Sequence, residues 1–158
     1  MDSSIRVSNH EIQCPIPGLP PCLLQLVLLQ SQTFIWMGQY GGPARVGVDW
    51  SAAMPGLPTN PSSAMSTTLS RGTNSDISLA MSKRLSRRFK QPIFLSLDLP
   101  SLHSEATGIS EEMSGRWSVM LEKLIVDKME QELASKVSAA QSLSAMPATQ
   151  LAVEPVGR

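Results

Sequence analysis

Apolar residues in this chain recur first at the spacing of strands and then at the spacing of helices. The run LLQLVLLQ at Leu23–Gln30 is followed, after Ser31 and Gln32, by TFIWMG at Thr33–Gly38. Both are short and rich in residues that suit a pleated surface, so together they predict a β-hairpin. Neither alternates cleanly. Phe34 and Ile35 fall on opposite sides of a strand, as do Trp36 and Met37, so the second strand is apolar on both sides and needs cover on both. Beyond a turn at Gln39–Pro43, Val46, Val48 and Trp50 recur at period two within Ala44–Met54 and predict a third strand. Pro55, Pro58 and Pro61 break the chain. Ser63–Gly72, SAMSTTLSRG, has the Ser and Thr content of a half-buried or edge strand.

The period then changes. Ile77, Met81, Leu85 and Phe89 fall at steps of four with Ala80 beside them, which is one face of a helix. Asn74 or Ser75 suits its cap and Asp76 its positive end, while Arg87, Arg88 and Lys90 suit its negative end. Pro92 stops it and opens a short apolar strand, Pro92–Pro100. After a linker through His103, a second amphipathic helix is predicted from about Ser110 to about Ala134. Trp117, Met120, Leu121, Leu124, Ile125 and Met129 mark its face, and Gly115 is a weak point near its start.

These elements predict an α+β fold: an antiparallel β-sheet of about five or six strands with two helices packed on it. Residues 23–134 would form the domain. Residues 1–22, with Pro15, Pro17, Pro20 and Pro21, read as an irregular, poorly ordered Pro-rich segment. Residues 135–158 read as a disordered tail with too little apolar pattern to fold. A domain of this size buries about two-thirds of its unfolded surface. Two helices cover one side of such a sheet, so a partner subunit is expected to complete it on the other.

Charge and composition narrow the function. Charged residues make up 16% of the chain, below the roughly 25% of an average soluble protein. Thirteen basic and thirteen acidic residues cancel, so net charge points to neither nucleic acid nor a membrane. The longest apolar region, Cys22–Gly38, is interrupted by Gln25, Gln30, Ser31 and Gln32, short of the ~20 residues that span a bilayer. Cys14 and Cys22 have no neighbouring metal ligands, and reduced thiols are the plain reading. The expected compartment is the cytoplasm, with the nucleus as a second.

No catalytic constellation is present. His10 and His103 lie outside the predicted elements. Glu111 and Glu112 stand at a helix start, where the dipole accounts for them. The loop Gly72–Asp76 opens a helix and could hold an anion, but capping explains the same residues and the Lys of a phosphate loop is missing. No enzyme and no cofactor or metal is expected. What remains is surface. Phe34 and Trp36 are candidates for a partner interface because their strand is apolar on both sides. Arg71, Lys83, Arg84, Arg87 and Arg88, with Lys90, concentrate basic charge on and just before one helix and are candidates for docking an acidic protein surface.

The order of these pieces resembles the proteasome assembly chaperone 4 family. The matching residues are Phe34, Trp36 and Gly38 in the second strand, Gly72, Thr73, Ser75 and Asp76 in the loop before the helix, and Ala80, Arg84, Leu85 and Arg87 in the helix. The resemblance runs from about Leu24 to Leu99. It implies a non-enzymatic chaperone that pairs with proteasome assembly chaperone 3 as a heterodimer of similar folds, binds α-type subunits, promotes α-ring formation of the core particle, and leaves before maturation. A generic adaptor domain, or a small enzyme using the Gly72–Asp76 loop for a phosphorylated ligand, are the competing readings of the residues alone.

Overall fold

The computed structural model describes residues 5–13, 21–39, 48–99 and 111–144, without the side chains of 61, 111–114 and 136–144. Cys14, the Tyr40–Pro43 part of the turn, Val46, His103, the side chains of Glu111 and Glu112, and residues 145–158 lie outside that description. In chain order the elements are β1 (Arg6–Ile12), β2 (Cys22–Leu28), β3 (Thr33–Gln39), β4 (Trp50–Met54), β5 (Met65–Ser70), α1 (Ser75–Phe89), β6 (Ile93–Asp98) and α2 (Glu111–Ser144), with a 3-10 turn at Pro61–Ser63. The chain divides into two compact units, Met1–Ile125 and Val126–Arg158. The boundary falls inside α2, and the described part of the second unit continues that helix to Ser144.

The first unit is built on one six-stranded sheet in the order β1-β2-β3-β6-β4-β5. β6 enters between β3 and β4, parallel to β3, and every other pairing is antiparallel. The expected antiparallel sheet therefore holds one parallel pair at its centre, made when α1 carries the chain back across the sheet before β6. Arg6–Ile12 corrects the reading of residues 1–22 as irregular, since it pairs residue for residue with β2. Its sequence RVSNHEI has little apolar alternation; the edge of β2 supplies what the pattern lacks. β4 is shorter than Ala44–Met54. Asp49 sits at φ 55°, a left-handed conformation that interrupts extended chain just before Trp50. α2 runs ten residues past the expected end at Ala134, through a Ser- and Ala-rich stretch that helix propensity tolerates.

One face of the sheet is the core. Leu24, Leu26, Ile35, Met37, Ile93, Leu95 and Leu97 point to it and are fully buried. α1 packs on β4, β5 and β6. In the first half of α2, Trp117, Leu121 and Ile125 are buried, and Glu122 meets Arg84 of α1, so this half lies beside α1. Met120 is exposed instead. α1 is also turned relative to its apolar pattern: the buried row is Ser78, Met81, Ser82, Leu85 and Ser86, while Ile77 and Phe89 are half-buried and Ala80 is exposed. The serines let the helix come close to β4. Ser78 Oγ and Ser51 Oγ are 2.7 Å apart, and Ser78 Oγ donates to the Asp49 carbonyl at 2.8 Å. Ser86 Oγ donates to the Gln91 carbonyl at 2.8 Å, so each buried hydroxyl of that pair is satisfied.

The Arg84–Glu122 pair is a fork: Arg84 Nε donates to Oε2 at 2.8 Å and Nη2 to the same oxygen at 2.6 Å. Arg84 is 48% exposed, and water screens such a pair. A double-mutant cycle with Arg84→Ala and Glu122→Ala is expected to give a coupling of less than about 1 kcal/mol in urea denaturation.

Candidate partner-docking surface

Within the first unit, α1 and the first half of α2 leave the opposite face of the sheet to its own side chains. Strand register places its side chains in rows. One row runs Val7, Val27, Phe34, Phe94, Ala52; the next runs Asn9, Gln25, Trp36, Ser96, Trp50. The Phe34 and Phe94 rings stack with centroids 4.6 Å apart and planes 13° from parallel, an arrangement that adds to area burial. Trp36 is half-buried, and its indole Nε1 is shielded from water with no hydrogen-bond partner. Ser96, between the two tryptophans in register, is fully buried and donates to the Val48 carbonyl at 3.0 Å. A groove of about 400 Å³ lies between Gln25, Val27, Phe34, Ile35, Trp36 and Trp50.

Gly38 makes this surface possible. It follows Trp36 by two residues on the same face, and a Cβ there would run into the six-membered ring of that indole. Gly38→Ala is expected to push the ring out of place at a cost of about 1–3 kcal/mol. Near-ultraviolet circular dichroism and urea denaturation read the two effects.

The apolar part of this face is the cluster Val7, Val27, Phe34, Phe94, Trp36 and Trp50, and a monomer that leaves a large apolar cluster partly exposed commonly uses it. Phe34 and Trp36 thus come together on one half-buried surface of the sheet. Trp50 and Phe94 belong with them and were missed as site residues. Their strands were legible, but the register that brings them alongside Phe34 and Trp36 is not local information.

The basic candidates occupy different ground. Lys83, Arg84, Arg87 and Arg88 are exposed on α1, and Arg71 is exposed just after β5. They share the helix-bearing side of the sheet, away from Phe34 and Trp36. Arg84 is held by Glu122; Arg71, Lys83 and Arg87 have no polar side-chain partner among the described residues.

The Gly72–Asp76 loop is filled by the protein itself. Asp49 is buried, and its Oδ2 accepts from the Asn74 backbone N–H at 3.0 Å while Oδ1 accepts from the Ser75 hydroxyl at 2.8 Å. Neither Asn74 nor Ser75 caps its own helix as expected: Asn74 instead donates its side-chain amide to the Leu99 carbonyl at 3.1 Å. A carboxylate already on these donors leaves the loop a poor phosphate cradle.

A family model described as proteasome assembly chaperone 4 matches residues 21–99. The chain belongs to the proteasome assembly chaperone 4 family. That stretch spans β2 to the end of β6 and holds the aromatic rows, Gly38, the Asp49 contacts and all of α1, so a proteasome assembly chaperone is the role its fold and surface serve. A crystal structure of a chaperone complex for yeast 20S proteasome assembly has a similar fold, with a TM-score of 0.56 at 13% identity over 82% of this chain and 98% of that one. No curated protein matches the chain.

Proposed function

We propose that this family member works as half of a heterodimer with proteasome assembly chaperone 3. The pair binds α-type subunits and promotes α-ring formation of the core particle. The observation that carries the reading is the aromatic face around Trp36, half-buried and on the side of the sheet opposite α1. A second sheet laid on it would complete a sandwich about 10 Å thick, as packed sheets do. That the similar yeast structure is a chaperone complex supports pairing as the mode of action. Arg71, Lys83 and Arg87, exposed on the other side of the sheet, would orient an α-type subunit once the partner is bound, with Arg84 and Arg88 beside them. The role is one of binding, without catalysis, in the cytoplasm and also the nucleus.

Mixing with purified proteasome assembly chaperone 3 and weighing the product by native mass spectrometry tests the pairing. A one-to-one complex is expected. Two unmixed species would overturn it and return the chain to a generic adaptor role.

A further inference from the structure

The sheet has two edges, β1 and β5, and they are not alike. β1 carries Arg6, His10 and Glu11, charges of the kind that discourage another strand from pairing at an edge. β5 reads MSTTLS, without charge or proline. Among the described residues it pairs only with β4, and no backbone hydrogen bond there reaches its outer side. A row of unpaired N–H and C=O groups is complementary to another extended backbone.

Its surroundings say what kind of chain fits. On the open-face side, Met65 stands opposite Met54, and both are more than half exposed, as are Leu57 and Leu69 nearby. On the other side runs α1. The six residues of β5 span about 20 Å and the fifteen of α1 about 22 Å, so the helix returns along the whole strand. Arg84 turns towards α2. Lys83, about 100° round the helix, is on the flank away from α2. Arg71 follows the last residue of β5, and Lys90 caps α1 near the strand's other end. All three cations are exposed, without a polar side-chain partner among the described residues, and Asp76 is the only acidic residue of α1.

We propose that β5 is a strand-addition site for an extended segment of the α-type subunit, apolar on one side and acidic on the other. The proposal rests on the reading above that an α-type subunit docks on the basic side of the sheet. In an added strand, alternate side chains lie beside Met65 and Thr67 on the open face, and beside Ser66 and Thr68 on the helix side. Apolar residues extend the methionine patch; acidic ones come within reach of Arg71, Lys83 and Lys90. A second copy pairing β5 with β5 would bring two sets of these cations together, and charge opposes that arrangement.

Hydrogen exchange on the complex with proteasome assembly chaperone 3, with and without purified α-type subunits, tests it. Exchange of the 65–70 amides is expected to slow about tenfold or more on subunit binding, and the protection to fall away in Met65→Asp and in the pair Lys83→Glu with Lys90→Glu. A capped ten-residue peptide alternating valine and glutamate should protect the same amides, and its valine–lysine counterpart should not. Subunits that bind while protecting only other segments overturn the proposal and leave subunit capture standing. Subunits that fail to bind overturn the capture reading and the source assigned here; the valine–glutamate peptide then decides the edge, protection upholding it and its absence overturning it. Protection that grows with the chaperone's own concentration would make a second copy the occupant and overturn the assignment.

Discussion

Trp36→Asp is expected to abolish the complex with proteasome assembly chaperone 3 while leaving the isolated chain folded. Trp36 stands at the centre of the open face, flanked in register by Gln25 and Ser96, and it is half-buried before any partner arrives. Covering the rest of such a ring is worth about 1–2 kcal/mol. An aspartate in its place forfeits that and adds the cost of drying an unpaired carboxylate, several kcal/mol more. The sum is on the order of 5 kcal/mol, or a loss of more than 1,000-fold in affinity. Trp36→Phe keeps an apolar ring with less area and should lose about tenfold. Val119→Asp, at an exposed position on α2, is the control and should bind normally. Sedimentation velocity of the mixed proteins measures all three. Wild-type affinity in Trp36→Asp would place the interface elsewhere.

Asp49→Ala is expected to be the most destabilising single change outside the apolar core, by about 3–5 kcal/mol. Two bonds to the carboxylate are lost, each charge-assisted and worth about 1.5–3 kcal/mol, and the buried Asn74 N–H is left without an acceptor. Alanine also tolerates the positive φ of this position poorly, at roughly 1–2 kcal/mol. Asp49→Asn keeps an acceptor oxygen and a side chain suited to that conformation, so it should lose about half as much. Asp49→Gly relieves the backbone but keeps neither bond, and should fall between them. Gly72→Ala strikes the same network from the other side, because a Cβ there meets Val48 and lies 2.8 Å from Asp49 Oδ1. Urea denaturation ranks the series. An alanine variant as stable as wild type would mean that the loop is held by something other than Asp49. Against the usual total of 5–15 kcal/mol for a domain, this one carboxylate decides a large share of whether β4 and α1 stay joined.

The residues explain why some of this was legible and some was not. β2, β3, β6 and α1 announced themselves because each satisfies its own local rule: apolar residues at the right period, bounded by turn or proline signals. β1 did not, because Val7, Asn9 and Glu11 alternate with Ser8 and His10 without an apolar face, and only the neighbouring strand makes them a strand. The serine row of α1 was hidden for a related reason. Serine counts as polar in a periodic pattern, yet Ser78, Ser82 and Ser86 are buried because small side chains bring the helix down onto β4. Capping was expected from Asn74 or Ser75; the acceptor came from Asp49, far away in the chain, and no window of sequence contains both.

By itself the sequence determined that β3 is apolar on both of its sides, that two amphipathic segments have the period of helices that pack on a sheet, and that basic charge gathers on one of them. These follow from side-chain period and composition, which are local properties. Only the tertiary structure decided that the first half of α2 lies beside α1, that Trp50 and Phe94 join Phe34 and Trp36 on one face of the sheet, that Arg84 is taken by Glu122, and that β5 is an edge without charge or proline. Each of these depends on strand order and register, which are set by packing between segments distant in the chain.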